Sequence, residues 1–112
     1  ETYQYIFRDD LFFAGQMTGV EGYIESAASG MLAGINLAHV LNGEEPVTPG
    51  NQTMIGAMAY YITHADANHF QPMNANFGIV HLEESVKKKD KKGAYAPQSM
   101  RIIQEMIDNH EL

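Results

Sequence analysis

The chain has 112 residues, no cysteine and a formal net charge of −7. That length allows one modest core, the missing cysteine excludes disulfide staples and thiol nucleophiles within these residues, and no apolar run approaches the ~20 residues a membrane-spanning helix needs. The composition reads as that of a soluble, cytoplasmic piece of protein. In chain order, the first predicted element is a short strand, Leu11, Phe12, Phe13 and Ala14, an apolar run suited to a buried position. Gly15 and Gly19 then free the backbone from the limits a Cβ imposes, and Gly22 marks the turn into a helix. The start of that helix brings unpaired N–H groups and the positive end of the dipole toward whatever lies above the strand, which suits a phosphate or an electron-rich ring such as a flavin.

The helix itself carries Ile24, Ala27, Ala28, Met31, Leu32, Ile35 and Ala38 at three- and four-residue spacing, which predicts a stripe facing a core. Ala27, Ala28, Ser29, Gly30, Ala33 and Gly34 make it thin. Glycine inside a helix costs about 1 kcal/mol relative to alanine, so Gly30 and Gly34 predict a backbone or ligand passing close by, or tight helix-on-sheet packing.

Asn42 and Gly43 predict the end of this helix, with Gly43 in the left-handed position beyond the cap, and Pro46, Pro49 and Gly50 forbid its continuation. Thr53 predicts the cap of a second helix running to about residue 65, with Met54, Ile55, Met58, Ala59 and Ile62 as its apolar stripe. Residues 66–78 read as an ordered loop anchored by Phe70, Met73 and Phe77, and Ile79 to Leu82 as an extended stretch. A last helix is predicted over Gln98 to Asn109, with Met100, Ile103, Met106 and Ile107 on one face and Pro97 in its first turn. These elements divide the chain into a strand–turn–helix unit over 1–43 and a helical region over 44–112 with a basic loop near 87–92.

Two clusters of polar residues carry competing readings. His64, Asp66 and His69 have spacing that a metal site could use, but zinc wants four convergent ligands, so loop-capping or solvated histidines are the favoured reading and no metal residue is assigned. Lys87, Lys88, Lys89, Lys91 and Lys92 form a basic run in an acidic chain, read first as solvated loop and second as a contact for nucleic-acid phosphates.

The segment from Ala14 to Asn36, AGQMTGVEGYIESAASGMLAGIN, closely resembles the flavin-binding motif of the bacterial folate- and FAD-dependent tRNA (uracil-5-)-methyltransferases. Gly56, Ala57 and Met58 leading to Tyr61, Ile62 and Thr63, and the stretch Phe70 to Gly78, are similar to the same family. The related tRNA wobble-uridine flavoproteins carry a TTGYEEAAAQG-like core where this chain has Val20 to Ser29, which favours the methyltransferase. A non-catalytic assembly or tRNA-docking module is the remaining alternative.

The resemblance implies a fold class, an α/β fragment, mostly helical, that forms the end of an FAD-binding Rossmann-like domain. It implies a parent several times longer that begins with a GxGxxG fingerprint. Since none is present and the chain opens on Glu1, Thr2 and Tyr3, it reads as a carboxyl-terminal fragment. The implied activity is methylation of uracil C5 in tRNA, with methylenetetrahydrofolate as carbon donor and NAD(P)H as reductant through FAD. The family's cysteine nucleophile must then lie elsewhere, and no catalytic residue is assigned here. By matched position, Gly15 and Gln16 are implied to lie near the ribityl–pyrophosphate part of FAD, Gly19, Val20, Glu21, Gly22 and Tyr23 to line the helix start beside the flavin ring, and Glu25 and Ser26 to support that turn from the first helical turns. The fragment alone is expected to be inactive, to hold FAD weakly or not at all, and to form a homo-oligomer that covers Ile24, Met31, Leu32, Ile35 and the strand.

Overall fold

A computed structural model of the chain describes residues 1–83 and 90–112. Two short strands, β1 (Gln4–Tyr5) and β2 (Arg8–Phe12), form an antiparallel hairpin, followed by three helices, α1 (Tyr23–Leu41), α2 (Met54–His64) and α3 (Lys91–Asp108). The result is a small α/β structure dominated by helix. The strand begins and ends earlier than its apolar run predicts. Arg8, Asp9 and Asp10 are exposed and so cost nothing in the hairpin, whereas Gly15 turns the chain away at a φ of 79° and donates its N–H to Ser29 instead of to a strand. Phe13 keeps one ladder-like bond, from its N–H to the Tyr3 carbonyl at 3.0 Å.

α1 has the predicted limits, with Asn42 as its C-cap and Gly43 at a φ of 77° beyond it. Its buried face is different from the predicted stripe. Ser29, Leu32, Ala33 and Asn36 point inward, while Ile24, Ala27, Met31 and Ala38 are exposed. The helix is apolar nearly all round, so spacing alone cannot choose a face. The polar atoms choose it, because Ser29 and Asn36 find buried partners. The Asn36 side chain donates to the Thr2 carbonyl at 3.1 Å and the Val47 carbonyl at 2.8 Å, and accepts from the Val47 N–H at 2.7 Å. Gly30 and Gly34 meet nothing within 4 Å, so their expected neighbour is not found among the described residues.

The core lies where α1 and α2 meet the hairpin: Leu32, Ala33, Ala59 and Tyr3 are buried together, flanked by Phe12, Ala14, Ile55 and Ile62. Thr53 caps α2 as predicted, accepting from the Gly56 N–H at 3.0 Å while donating to the Gly50 carbonyl at 3.1 Å. This draws the Gly50 turn against the first turn of α2 so closely that a Cβ on Gly56 would overlap the Gly50 backbone.

α3 starts earlier than predicted and takes Pro97 into its interior, where the ring removes one backbone donor. Tertiary contacts hold the extra turns: Tyr95 stacks on Phe77 with centroids 4.5 Å apart. The Gln98 amide accepts from the Glu83 N–H and donates to the Gln52 and His81 carbonyls. Of the stretch predicted as extended, Ile79 closes a 3-10 turn, Phe77–Ile79, while Val80 is extended. Of the basic run, Lys87, Lys88 and Lys89 lie outside the described residues, and Lys91 and Lys92 are exposed at the start of α3.

The buried Tyr3 hydroxyl has no hydrogen-bond partner among the described residues, and burial pushes its pKa up to about 12. A raised acid favours the neutral phenol in the fold, so this contribution is intact below the ordinary value near 10 and is lost as pH rises toward 12. Tyr3→Phe is therefore expected to leave stability at neutral pH unchanged or higher, since no bond is broken, and to flatten the alkaline loss in urea melts above about pH 10. A clear destabilisation at pH 7 would mean that the hydroxyl has a partner after all.

Candidate functional site

The stretch from Gly15 to Tyr23 is a chain of turns shaped by glycine. Gly15, Gly19 and Gly22 all have positive φ, and a 3-10 turn, Gln16–Thr18, lies between the first two. Ser29 fixes the first turn from below: its hydroxyl accepts from the Gly15 N–H at 2.8 Å and donates to the Ser26 carbonyl at 2.8 Å. At the second turn the Phe70 ring lies against Gly19, with Cε1 at 3.0 Å from where a Cβ would stand. Val20 is buried, and it pairs with Met73 in a parallel bridge in which the Glu21 N–H donates to the Met73 carbonyl at 2.9 Å and the Met73 N–H to the Gly19 carbonyl at 3.1 Å. The loop anchors Phe70 and Met73 thus act on this turn. Phe77 anchors α3 instead.

At the third turn, Gly22 is the N-cap of α1 and offers no side-chain oxygen to the first amides of the helix. Gln16, Gly22, Tyr23 and Ser26 line an open cleft there. Tyr23 is 97% exposed, and Gln16 and Gly22 are exposed as well. The predicted residues therefore divide. Gln16, Gly22 and Tyr23 face the cleft, Gly15 is half-buried behind it, and Gly19 and Val20 are buried supports.

Sequence spacing gave no sign of the partners that hold Glu25. The Glu25 carboxylate accepts from the Asn74 side chain at 3.0 Å and the Ala75 N–H at 3.1 Å, and Asn74 also donates to the Glu21 carbonyl at 3.0 Å. The carboxylate lies 2.6 Å from the place of a Gly22 Cβ, so Gly22 is required by what packs against it as well as by its φ of 106°. Hydrogen bonds from Asn74, then from the Glu25 and Ala75 amides, hold Glu25 below the usual carboxylate range. A lowered carboxylate stabilises the fold above its ordinary pKa, and that contribution is lost as the pH falls through the depressed value.

Of His64, Asp66 and His69, the last two pair with each other and the first packs on a tyrosine. His69 Nδ1 pairs with Asp66 at 2.8 Å, the Asn68 N–H caps the same carboxylate, and His64 stacks on Tyr60. Among the described residues no three His, Asp or Glu side chains gather as ligands, and no helix is long and apolar enough to cross a membrane.

Residues 1–45 match the family described as "Glucose inhibited division protein A". A protein of Bacillus cytotoxicus named "Methylenetetrahydrofolate--tRNA-(uracil-5-)-methyltransferase TrmFO" is 60% identical over 109 residues, which is 96% of this chain and 25% of that protein. Proteins of the same name from Bacillus cereus and Enterococcus faecalis are 59% and 56% identical over the same shares. The chain spans about a quarter of the length of these relatives. Along nearly all of its own residues, then, the chain belongs to the family that these methyltransferases represent.

Proposed function

We propose that the chain supplies the strand, glycine turn and helix start that face the flavin in a whole enzyme that methylates uracil C5 of tRNA. In this reading the unit is the end of a Rossmann-like FAD-binding domain, carbon comes from methylenetetrahydrofolate, and NAD(P)H provides electrons through FAD in the cytoplasm. The observation that carries it is the cleft at the uncapped start of α1, lined by Gln16, Gly22, Tyr23 and Ser26. Its donor set fits the group. Helix amides and the dipole stabilise negative charge on the pyrimidine edge of a reduced flavin, an amide side chain can reach a ribityl hydroxyl, and an exposed tyrosine offers a ring edge. When bound, FAD would supply the electron transfer, and these residues would orient it and exclude water.

Glu21 and Glu25 both sit at the positive end of α1, where they favour the helix but repel a free polyphosphate. That balance favours a flavin ring, whose single negative charge when reduced is delocalised, over a polyphosphate at this point. Lys91 and Lys92, exposed on α3, are available to tRNA phosphates in the whole enzyme. The relatives carry the methyltransferase name, which supports this reading over the wobble-uridine one. The 112 residues alone are proposed to hold FAD weakly, because the fingerprint that grips the adenine half is not among them, and to self-associate through the bare face of α1.

In a full-length chain carrying these residues, Gly22→Val is expected to lower flavin content sharply. A branched side chain can neither adopt the φ of 106° nor share space with the Glu25 carboxylate. Flavin content is read from absorbance at about 450 nm, where an oxidised flavin cofactor absorbs. Full occupancy in the variant would remove the turn from the flavin site.

A further inference from the structure

Two segments some fifty residues apart in sequence meet at the start of α1, and only one of them belongs to the glycine motif. From the far side come Met73, Asn74 and Ala75. Their bonds fall on Gly19, Glu21 and Glu25: two backbone bonds between Met73 and the turn, one from Asn74 to the Glu21 carbonyl, and two onto the Glu25 carboxylate. The same carboxylate fills the space beneath Gly22.

We infer that Glu25 is a positioning residue whose carboxylate, held by Asn74 and the Ala75 amide, fixes the angle at which the Gly22 turn presents the first amides of α1 to the flavin. This rests on the flavin reading proposed above. Three features of the geometry support it. The Asn74 amide bridges the Glu21 carbonyl and the Glu25 carboxylate, so it spans the glycine turn from the residue before Gly22 to the third residue after it. The bonds involve a charged acceptor, the stronger kind. Gly22, without a Cβ, has wide regions of φ and ψ open to it, so its conformation is imposed by its surroundings, and the Glu25 carboxylate is the group beside the place a Gly22 Cβ would take. The role is one of orientation: Glu25 turns toward the 73–75 loop, while the cleft is lined by Gln16, Gly22, Tyr23 and Ser26.

The test exchanges donor and acceptor in a full-length chain carrying these residues, with FAD titrated into the apoprotein. Asn74→Asp sets two carboxylates against each other, and FAD affinity is expected to fall by about tenfold or more, the equivalent of losing one good hydrogen bond to a charged group. The double variant Glu25→Gln with Asn74→Asp restores one donor facing one carboxylate and is expected to recover most of that affinity. Glu25→Gln alone changes no volume and is expected to weaken FAD binding more mildly, which keeps the question answerable if Asn74→Asp is too unstable to purify. The flavin reduction potential, measured on the same proteins, is expected to shift in the single variants and return in the double, a response that loss of general stability does not produce. Unchanged affinity and potential in all three variants, with wild-type FAD binding intact, would overturn the inference alone. A double variant no better than Asn74→Asp would do the same. A full-length wild-type chain that takes up no FAD would sink the flavin reading and this inference together.

Discussion

Gly56→Ala is expected to destabilise the chain by about 2 kcal/mol or more, although alanine is the better helix former by about 1 kcal/mol. The added methyl would stand inside the Gly50 peptide, whose carbonyl carbon and nitrogen are each only 2.7 Å from the new atom. Those atoms belong to the backbone, and the Gly50 carbonyl is held in place by Thr53, so neither partner can rotate aside. The helix must shift bodily away from the turn, and the packing of Ala57, Met58 and Ala59 goes with it. Urea melting gives the magnitude through the shift in midpoint. The control is Gly34→Ala, on the open face of α1, where nothing lies within 4 Å and the same change is expected to raise stability by a few tenths to about 1 kcal/mol. Similar shifts at the two sites would show that propensity alone governs both.

Asn36→Leu is expected to cost about 3 kcal/mol in the same melts, even though leucine shares the branched outline of asparagine and suits a core. Asn36 is fully buried, and its amide satisfies three backbone groups at once, the Thr2 carbonyl and both the N–H and carbonyl of Val47. Leucine leaves all three without partners, at about 1–3 kcal/mol for each that water cannot reach. Asn36→Asp sharpens the test through pH. The acid can accept from Val47, but when ionised it faces two carbonyls, so its folded pKa is raised. Stability in that variant is then greatest below the ordinary aspartate value and falls as pH rises. A pH-independent Asn36→Asp chain would show that water or another donor reaches this position.

What the sequence made legible, and what it hid, divide along physical lines. Caps were visible, because Thr53 and Gly43 act within a few residues of their own position and need no tertiary information. The glycine turn was visible for the same reason. The face of α1 was hidden, since Ile24 and Met31 look as buriable as Leu32 and Ala33. Only partners at Thr2, Gly15 and Val47 reveal that the helix lies on its polar residues Ser29 and Asn36. The start of α3 was hidden because Pro97 speaks locally for a helix beginning, while Phe77, distant in sequence, stacks on Tyr95 in the turns before it. Of the residues that line the cleft, Gln16, Gly22 and Tyr23 belong to the motif. The bond from Asn74 to Glu25 was hidden, because a side-chain contact across some fifty residues leaves no periodicity in either segment.

The bridge between Val20 and Met73 bears on the order in which the molecule is made. A ribosome releases the glycine turn and α1 well before it releases the loop that shapes them, so for an interval the growing chain displays a formed helix behind an unset turn. Closing a loop of this length costs entropy that only the later contacts of α2 and Met73 return. Any ligand that reads the set turn must therefore arrive after Met73 has emerged, so the site takes shape some fifty residues of synthesis later than the glycine turn itself.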